Sequence, residues 1–190
     1  MRILVTGSTG NLGIVLVKEL LNNGFEVIEL TRNFEKSLKF FSKRTKKIVV
    51  SDNHNSLIND IVETNPEICI HLASYLTSKD DYESILKINE INLLLIRVLD
   101  AIKLLPNFKL FINTGSFSQF SKNNNELDSA YLYSVGKNID LEFLKYYSKT
   151  YNIKYLSIIL FTVYGSLDSK KKIIDLILDS LKSKTPIKLT

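Results

Sequence analysis

The chain has 190 residues, of which 45% are apolar and 24% are charged, and its formal net charge is +5. This composition is that of an ordinary globular protein with one large core; no apolar run approaches the roughly 18 residues of a membrane span, and the single cysteine excludes an intramolecular disulfide. The basic runs at residues 43–47 and 170–172 carry no interleaved aromatic residues. We therefore predict no membrane partner, no nucleic-acid partner and no metal site. The cytoplasm is the expected location, because the apolar stretch before Gly7 is too short for a secretory signal.

Short β-branched runs alternate along the chain with longer segments of helical periodicity, which indicates βαβ units around a parallel sheet. Strands are predicted at residues 3–6, 26–30, 47–50, 68–72, 109–113 and 155–160. Helices are predicted at residues 11–23, 55–64, 81–105, 128–151 and 170–183. Most of the strands have too few polar residues to alternate, as expected when helices cover both faces of the sheet. The pattern predicts a doubly wound α/β fold, Rossmann-like with strand order 3-2-1-4-5-6, over residues 1–165.

Three glycines, Gly7, Gly10 and Gly13, lie directly between the first strand and the first helix. Glycine lets the backbone turn sharply and approach a pyrophosphate closely, while the N-terminus of a helix offers free N–H donors and a partial positive charge. The order of strand, glycine turn and helix therefore favours a dinucleotide site over a tight turn that binds nothing. The predicted cofactor-binding residues of this turn are Gly7, Thr9, Gly10, Asn11, Leu12 and Gly13.

The end of the second strand favours one dinucleotide over the other. NAD-binding proteins usually place an acidic residue there to hold the ribose 2′-hydroxyl, whereas this chain has Thr31 followed by Arg32. A hydroxyl and a guanidinium suit a 2′-phosphate, so we predict NADP as the cofactor, with NAD as the alternative if Arg32 is only a surface charge. Asp52, after the third strand, is a candidate acceptor for the adenine amino group; alternatively, Asp52 and Asn53 simply begin a turn.

Tyr133 and Lys137 are four residues apart in a predicted helix, so their side chains share one face. A phenol with an ordinary pKa of about 10 is a weak acid–base group at neutral pH, but a neighbouring ammonium and a positive nicotinamide ring favour its phenolate. An isolated pair of this kind is more often a helix-surface pair; its position after the glycine turn favours an active site. Ser116 follows the fifth strand and is the predicted partner hydroxyl, with Thr114 and Ser118 as competing candidates. Alternatively, Ser116 is a turn or N-cap serine.

Together these motifs resemble those of the NAD(P)-dependent epimerase/dehydratase family, the extended short-chain dehydrogenases/reductases. Residues 6–13, 71–74 and 133–137 match the family's motifs in order, and residues 162–165 match a later motif, Asn-Val-Tyr-Gly, in part. The resemblance implies that Tyr133 is the general acid/base, that Lys137 binds the nicotinamide ribose, and that Ser116 orients the sugar carbonyl. It also implies a supporting role for Asn89 in the active site. Further cofactor contacts are implied for Leu72, Ala73, Ser74, Thr114, Tyr133 and Lys137, while His71 is interpreted as a core strand residue.

The chain departs from the family after the fifth strand. Thr114-Gly115-Ser116 replaces the usual run of hydroxyl residues, and Phe117 and Ser118 stand where dehydratases carry acidic residues. Sugar dehydration is therefore not expected, and residues 113–117 and 131–134 are more similar to nucleotide-sugar 4-ketoreductases of the abequose/paratose type. The resemblance implies reduction of a 4-keto-6-deoxy nucleotide sugar by NADPH. The alternatives are an NAD-dependent epimerase and a non-catalytic dinucleotide-binding module.

Residues 166–190 have the pattern of a polar loop, an amphipathic helix and the start of a strand. The family continues for roughly another hundred residues, into a subdomain that holds the nucleotide of the sugar. We therefore expect residues 166–190 to begin an incomplete substrate-binding subdomain. Family members pair through the helices predicted here at 81–105 and 128–151, which implies a homodimer. Alternatively, Tyr146, Tyr147 and Tyr151 pack on the sheet.

Overall fold

The computed structural model of the chain describes residues 1–120, 127–165 and 173–182. Within this part of the chain, six strands form one sheet in the order β3-β2-β1-β4-β5-β6, which confirms the predicted doubly wound fold. β1 is central and pairs in parallel with β2 and β4, so that the carboxyl ends of these three strands meet at one edge of the sheet. The strands are β1 (Arg2–Thr6), β2 (Glu26–Thr31), β3 (Lys46–Val49), β4 (Ile68–His71), β5 (Leu110–Ser116) and β6 (Tyr155–Leu160).

The described helices are α1 (Asn11–Asn22), α2 (Phe34–Phe41), α3 (His54–Thr64), α4 (Tyr82–Ile102), α5 (Leu132–Tyr151) and α6 (Ile173–Lys182), with a 3-10 helix at Phe117–Gln119. α2 is absent from the prediction, because it has only eight residues and Phe41 is its one buried large apolar side chain. It begins where the Asn33 side chain accepts a hydrogen bond from the Lys36 N–H (2.8 Å). α5 begins at Leu132 rather than at the predicted residue 128.

Two apolar clusters pack against the sheet. Because side chains alternate along a strand, Leu4 and Ile3 of β1 point to opposite faces and belong to different clusters. Helices α3, α4 and α5 cover the face of Leu4, and α1 and α2 cover the face of Ile3. Cys69 lies buried in the first cluster, as predicted for a core residue, and burial raises the pKa of its thiol.

The chain divides into two compact units, Met1–Ile159 and Leu160–Thr190. The first unit holds every residue that the sequence predicts for catalysis or cofactor binding. In the second unit the structure describes only residues 160–165 and α6, so most of the predicted subdomain at 166–190 lies outside the described residues. None of the described helices is both long and apolar enough to cross a membrane.

Candidate active site

The turn between β1 and α1 leaves no room for side chains at its glycines. Gly7 has a φ of +68°, and a Cβ atom there would lie 2.7 Å from the backbone nitrogen of Ala73. A Cβ atom on Gly13 would collide with the carbonyl oxygen of Gly7, and the Gly10 N–H donates to that same oxygen (3.0 Å). Backbone atoms therefore form the surface at the start of α1, as a closely approaching pyrophosphate requires.

The N-terminus of α1 has the character of an anion site. Gly10 is the N-cap residue, so no N-cap side chain accepts from the N–H groups of the first turn, and that turn contains no acidic residue. Backbone N–H groups at the start of a helix and the positive end of the helix dipole both favour a negative charge here. Asn11, Leu12 and Gly13, which were predicted to contact the cofactor, are the first three residues of this helix.

A groove of about 390 Å³ lies beside this helix end, at the carboxyl ends of the parallel strands. Its volume is within the range of small-molecule and cofactor sites. Ile91 and Leu94 of α4 form an apolar part of its lining. The predicted residues that line the groove are Gly7, Thr9, Gly10, Thr31, Arg32, Leu72, Ala73 and Ser74. The structure thus brings half of the predicted cofactor residues together on one surface.

Two cations line the groove beyond the end of β2. The Arg32 side chain is 66% exposed and lies 3.9 Å from the Glu90 carboxylate, a weak contact that leaves its guanidinium available. Lys36, in the first turns of α2, lines the same groove and was missed because α2 itself was not predicted. Thr31 is buried, and its hydroxyl donates to the carbonyl oxygen of Asn33 and accepts from the Asn33 N–H, both at 3.1 Å. This local turn orients the backbone that carries Arg32.

Asp52 and Asn53 lie outside the lining of the groove. The Asn53 side chain instead accepts the Ser56 N–H (2.9 Å) and so caps α3, which agrees with the turn that was left open as the alternative. The buried Arg97 of α4 donates to the carbonyl oxygens of Ser51 (2.5 Å) and Asn53 (2.9 Å). The loop is therefore anchored from within the fold. Asp52 is exposed.

Tyr133 and Lys137 line one small cavity between α4 and α5, as the spacing of four residues predicts. This cavity shares two lining residues, Ser74 and Ile91, with the groove. The cavity that Tyr133 lines therefore adjoins the groove that the glycine turn lines.

Lys137 is a buried ammonium whose nitrogen has no hydrogen-bond partner among the described residues. The nearest carboxylate oxygen is Asp140 Oδ2, at 3.7 Å. Burial lowers the pKa of Lys137, and the attraction of Asp140 offsets part of that effect. Burial likewise raises the pKa of Asp140, against the opposing attraction of Lys137. The three donors of the Lys137 ammonium are thus unused.

The structure does not bring Asn89 to this cavity. Asn89 is exposed and lines neither the cavity nor the groove, whereas Asn92, one turn later on α4, is 6% exposed and lines the cavity. Asn92 Nδ2 donates to the Gly136 carbonyl (3.0 Å) and to Asp140 Oδ1 (2.7 Å). The asparagine that contacts the Tyr133 helix is therefore Asn92, because the packing of α4 on α5 turns this residue inward.

Ser116 ends β5 and caps the 3-10 helix that follows, so the N-cap alternative describes its hydrogen bonding. Its hydroxyl lies 3.0 Å from that of Ser118, which accepts from the Ser134 hydroxyl at 3.0 Å. A chain of hydroxyls thus links the end of β5 to the residue that follows Tyr133. Ser116 lines neither the groove nor the cavity. The competing candidate Thr114 donates to the carbonyl oxygen of His71 (3.0 Å).

The departures from the family pattern after β5 are structurally linked. A Cβ atom on Gly115 would lie 2.7 Å from Gln119 Oε1, so a larger residue at 115 is incompatible with this glutamine conformation. Gln119 Oε1 accepts the Ser116 N–H (2.7 Å), and its Nε2 donates to Asn138 Oδ1 (2.8 Å). Gly115 and Gln119 together therefore tie this loop to α5.

His71 is a core residue, in agreement with the sequence interpretation. Thr6 Oγ1 accepts the Ala73 N–H (3.1 Å) and lies within hydrogen-bond distance of His71 Nδ1, at 3.0 Å. The other ring nitrogen, Nε2, is buried and has no hydrogen-bond partner among the described residues. Burial, and secondarily the charge of Lys137, lower the pKa of His71 to about 3, so the ring is neutral.

The model of the NAD dependent epimerase/dehydratase family matches residues 3–190 of the chain. The chain is 30% identical to CDP-abequose synthase of Yersinia pseudotuberculosis over 190 residues, which is all of the chain and 65% of that protein. The chain thus spans less than two thirds of this relative's length.

Solved structures share the fold at lower identity. The UDP-glucose 4-epimerase of Thermotoga maritima, determined with UDP-glucose, has a TM-score of 0.78 at 18% identity, over 95% of this chain and 62% of that one. The UDP-glucose 4-epimerase of Thermus thermophilus, in complex with NAD, has a TM-score of 0.70 at 21% identity, over 83% of this chain and 54% of that one.

Proposed function

The chain belongs to the NAD dependent epimerase/dehydratase family, and from this premise we propose that it is the cofactor-binding part of an NADP-dependent reductase of 4-keto-6-deoxy nucleotide sugars. The observation that carries the cofactor assignment is the pair of cations, Arg32 and Lys36, that line the groove beyond Thr31. No acidic side chain is among the residues that line this groove, where NAD-binding proteins usually hold the ribose 2′-hydroxyl with an acid.

The groove has the groups that a dinucleotide phosphate needs. The backbone at Gly7 and Gly10 and the N-terminus of α1 suit the pyrophosphate, because that turn presents N–H groups and positive dipole without side chains. Arg32 and Lys36 suit a 2′-phosphate through charge-assisted hydrogen bonds. Ser74 then lies on the nicotinamide side, since it lines both the groove and the cavity of Tyr133.

The side chains around the cavity can donate the proton that a carbonyl reduction requires. NADPH, when bound, supplies the hydride that goes to the carbonyl carbon. The Tyr133 hydroxyl donates the proton to the carbonyl oxygen, and Lys137, with its unused donors, binds ribose hydroxyls and stabilises the phenolate that remains. Ser116 lines neither the groove nor the cavity, but its hydroxyl is linked through that of Ser118 to Ser134, next to Tyr133, and it is the proposed orienting group for the carbonyl. Asn92 takes the supporting role that the sequence had assigned to Asn89. The name of the Yersinia relative supports a CDP-linked sugar as the first substrate to test.

The cofactor assignment is tested by fluorescence titration with NADPH and NADH in parallel. NADPH is expected to bind at least about tenfold more tightly, and Arg32→Ser and Lys36→Ala are each expected to remove about 1–3 kcal/mol of that preference. Lys39→Ala is the matched control, because Lys39 is an exposed cation of α2 outside the groove lining. Equal affinities for the two cofactors in the unsubstituted protein contradict the NADP assignment.

One observation favours the rival reaction, NAD-dependent epimerisation. The Glu90 carboxylate lies 3.9 Å from the Arg32 guanidinium, and an acid at this position opposes a bound 2′-phosphate. The two reactions differ in what happens to the cofactor. Turnover of added NADPH with a CDP-linked 4-keto-6-deoxy sugar supports reduction, whereas tightly retained cofactor that sustains interconversion without added NADPH supports epimerisation. A non-catalytic dinucleotide module is supported if Tyr133→Phe changes no measured property except stability.

We also propose a homodimer through α4 and α5. Exposed apolar side chains on these helices support it, at Leu86 (44% exposed), Leu93 (55%), Val135 (39%) and Tyr146 (56%). Tyr147, by contrast, is 7% exposed and donates its hydroxyl to Asp100 Oδ1 (2.8 Å), so it belongs to the fold itself. Sedimentation velocity is expected to show a dimer that Leu93→Glu dissociates and that Val15→Glu, an exposed apolar position of α1, leaves intact. A monomeric unsubstituted protein contradicts the proposal.

A further inference from the structure

Three buried polar side chains, Lys137, Asp140 and Asn92, meet where α4 crosses α5. Gly136 permits this close crossing, because a Cβ atom there would lie 2.6 Å from Ile88 Cγ2. Asn92 uses both N–H donors of its amide, one on the Gly136 carbonyl and one on Asp140 Oδ1, so the orientation of that amide is determined. Asp140 Oδ1 is thereby held, and Asp140 Oδ2 is the oxygen that remains facing the Lys137 ammonium.

This arrangement differs from a buried ion pair whose role is stability. A charge-assisted hydrogen bond between an ammonium and a carboxylate is about 2.7–2.9 Å long, whereas Lys137 Nζ and Asp140 Oδ2 are 3.7 Å apart. Burying both charges in place of apolar side chains costs free energy that so long a contact does not return. The geometry instead supplies a counter-charge and leaves all three donors of the ammonium for another group.

The electrostatic surroundings of Lys137 are simple. Among the residues that line the cavity, Asp140 is the only acid, and Tyr75 and Tyr133 are the other titratable groups. His71 of β4 acts on Lys137 from the sheet side and is neutral there. The negative charge that keeps the ammonium protonated in this buried place is therefore that of Asp140.

We propose that Asp140, oriented by Asn92, is the positioning residue of Lys137: its carboxylate keeps the Lys137 ammonium charged and aimed into the Tyr133 cavity. The catalytic consequence rests on the proposed reductase function, while the electrostatic consequence exists in the protein without cofactor. Asp140 acts through Lys137 and touches neither cofactor nor sugar in this scheme.

The electrostatic consequence is tested by NMR of cofactor-free protein labelled with ¹³C-lysine, with the Lys137 signal assigned by its loss in Lys137→Met. Asp140→Asn keeps an acceptor for Asn92 and removes the charge, so the titration midpoint of Lys137 is expected to fall by about one pH unit or more, a tenfold loss of proton affinity. Asp140→Ser removes the same charge and replaces the asparagine variant if that variant does not fold. Asp140→Glu is expected to restore most of the midpoint.

Glu142→Gln is the matched control, because Glu142 lies on the same helix, is 65% exposed and pairs with Lys145. Its substitution is expected to leave the Lys137 midpoint in place. An unchanged midpoint in a folded, uncharged Asp140 variant overturns the proposal, as does an equal shift in Glu142→Gln.

The kinetic arm follows NADPH oxidation against pH. Asp140→Asn is expected to lower kcat roughly tenfold at neutral pH and to move the alkaline limb of the pH profile to lower pH, because the ammonium is lost sooner. If the unsubstituted protein shows no turnover while the NMR midpoint still shifts, the reductase function fails and the positioning role stands. If the unsubstituted protein turns over NADPH and the titration midpoint of Lys137 is unchanged in the Asp140 variants, the positioning role is wrong while the reductase function stands.

Discussion

Lys47 and Lys137 are both buried, with side chains only 5% and 4% exposed, but their ammonium groups have opposite surroundings. Lys47 Nζ donates to the Ser42 carbonyl (2.6 Å) and to both oxygens of Thr45 (2.6 and 3.3 Å), and it lies 3.5 Å from Glu29. Lys137 Nζ has no hydrogen-bond partner among the described residues. A saturated buried ammonium stabilises the fold, whereas an unsaturated one retains the capacity to bind a ligand.

The polar groups around Lys47 also help to hold α2 in place. Glu29, fully buried in β2, accepts from the hydroxyls of Ser37 (2.8 Å) and Thr45 (2.5 Å). Ser37 lies on α2, next to Lys36, so its hydrogen bond to Glu29 Oε1 helps to hold the helix that brings Lys36 to the groove. Polar groups beneath α2 therefore support the groove without lining it.

The largest effects are expected when Lys47 and Lys137 are each replaced by methionine. Lys137→Met is expected to lower kcat/KM about 10²- to 10⁴-fold and to change the free energy of unfolding by at most about 1 kcal/mol, because Asp140, whose pKa is already raised, can take up a proton. Lys47→Met leaves Glu29 without its cation and is expected to cost about 3–5 kcal/mol of stability. Denaturant unfolding and NADPH turnover, measured on both variants, check the pair. A loss of stability in Lys137→Met equal to that in Lys47→Met would remove the distinction.

A second test uses His71, the neutral ring on the sheet side of Lys137. Its folded pKa of about 3 lies below the value of 6.5 in the unfolded chain, so only the unfolded chain binds this proton between those pH values. The free energy of unfolding is therefore retained above pH 6.5 and falls as the pH drops towards 3, by up to about 1.4 kcal/mol per pH unit. His71→Asn is expected to flatten this dependence. His54→Asn, at the chain's other histidine, is the control; an unchanged slope in His71→Asn contradicts the assignment.

The smallest test concerns Gln119, a buried polar side chain that, like Lys47, is satisfied by the protein. Gln119→Leu removes its bonds to the Ser116 N–H and to Asn138, and is expected to cost about 1–3 kcal/mol of stability. The affinity for NADPH is expected to remain, because Gln119 does not line the groove. Thermal unfolding and the fluorescence titration measure the two properties. A loss of NADPH affinity with no loss of stability would mean that Gln119, like Lys137, acts in ligand binding and not in stabilising the fold.

The sequence-based prediction and the structure differ where contacts between separate helices and strands decide the outcome. Asn89 and Asn92 are three residues apart on one helix, and spacing does not distinguish which of them meets α5; the packing at Gly136 does. Lys36 was missed because α2 is short, with Phe41 as its one buried large apolar side chain, and is held in addition by the hydrogen bond from Ser37 to Glu29. The capping of α3 by Asn53 was one of two open alternatives, since a turn residue and a ligand residue can have the same local sequence.

What the amino-acid order determined without further help is local: apolar strand runs, the glycine turn before α1, and the four-residue spacing of Tyr133 and Lys137. These follow from backbone sterics and helical periodicity, which act over a few residues. Tertiary structure decided which polar groups are satisfied and which are left over. That outcome depends on contacts between α4 and α5, or between β2 and α2, and burial makes each such hydrogen bond decisive. That the Lys137 ammonium has no hydrogen-bond partner among the described residues is a property of that packing.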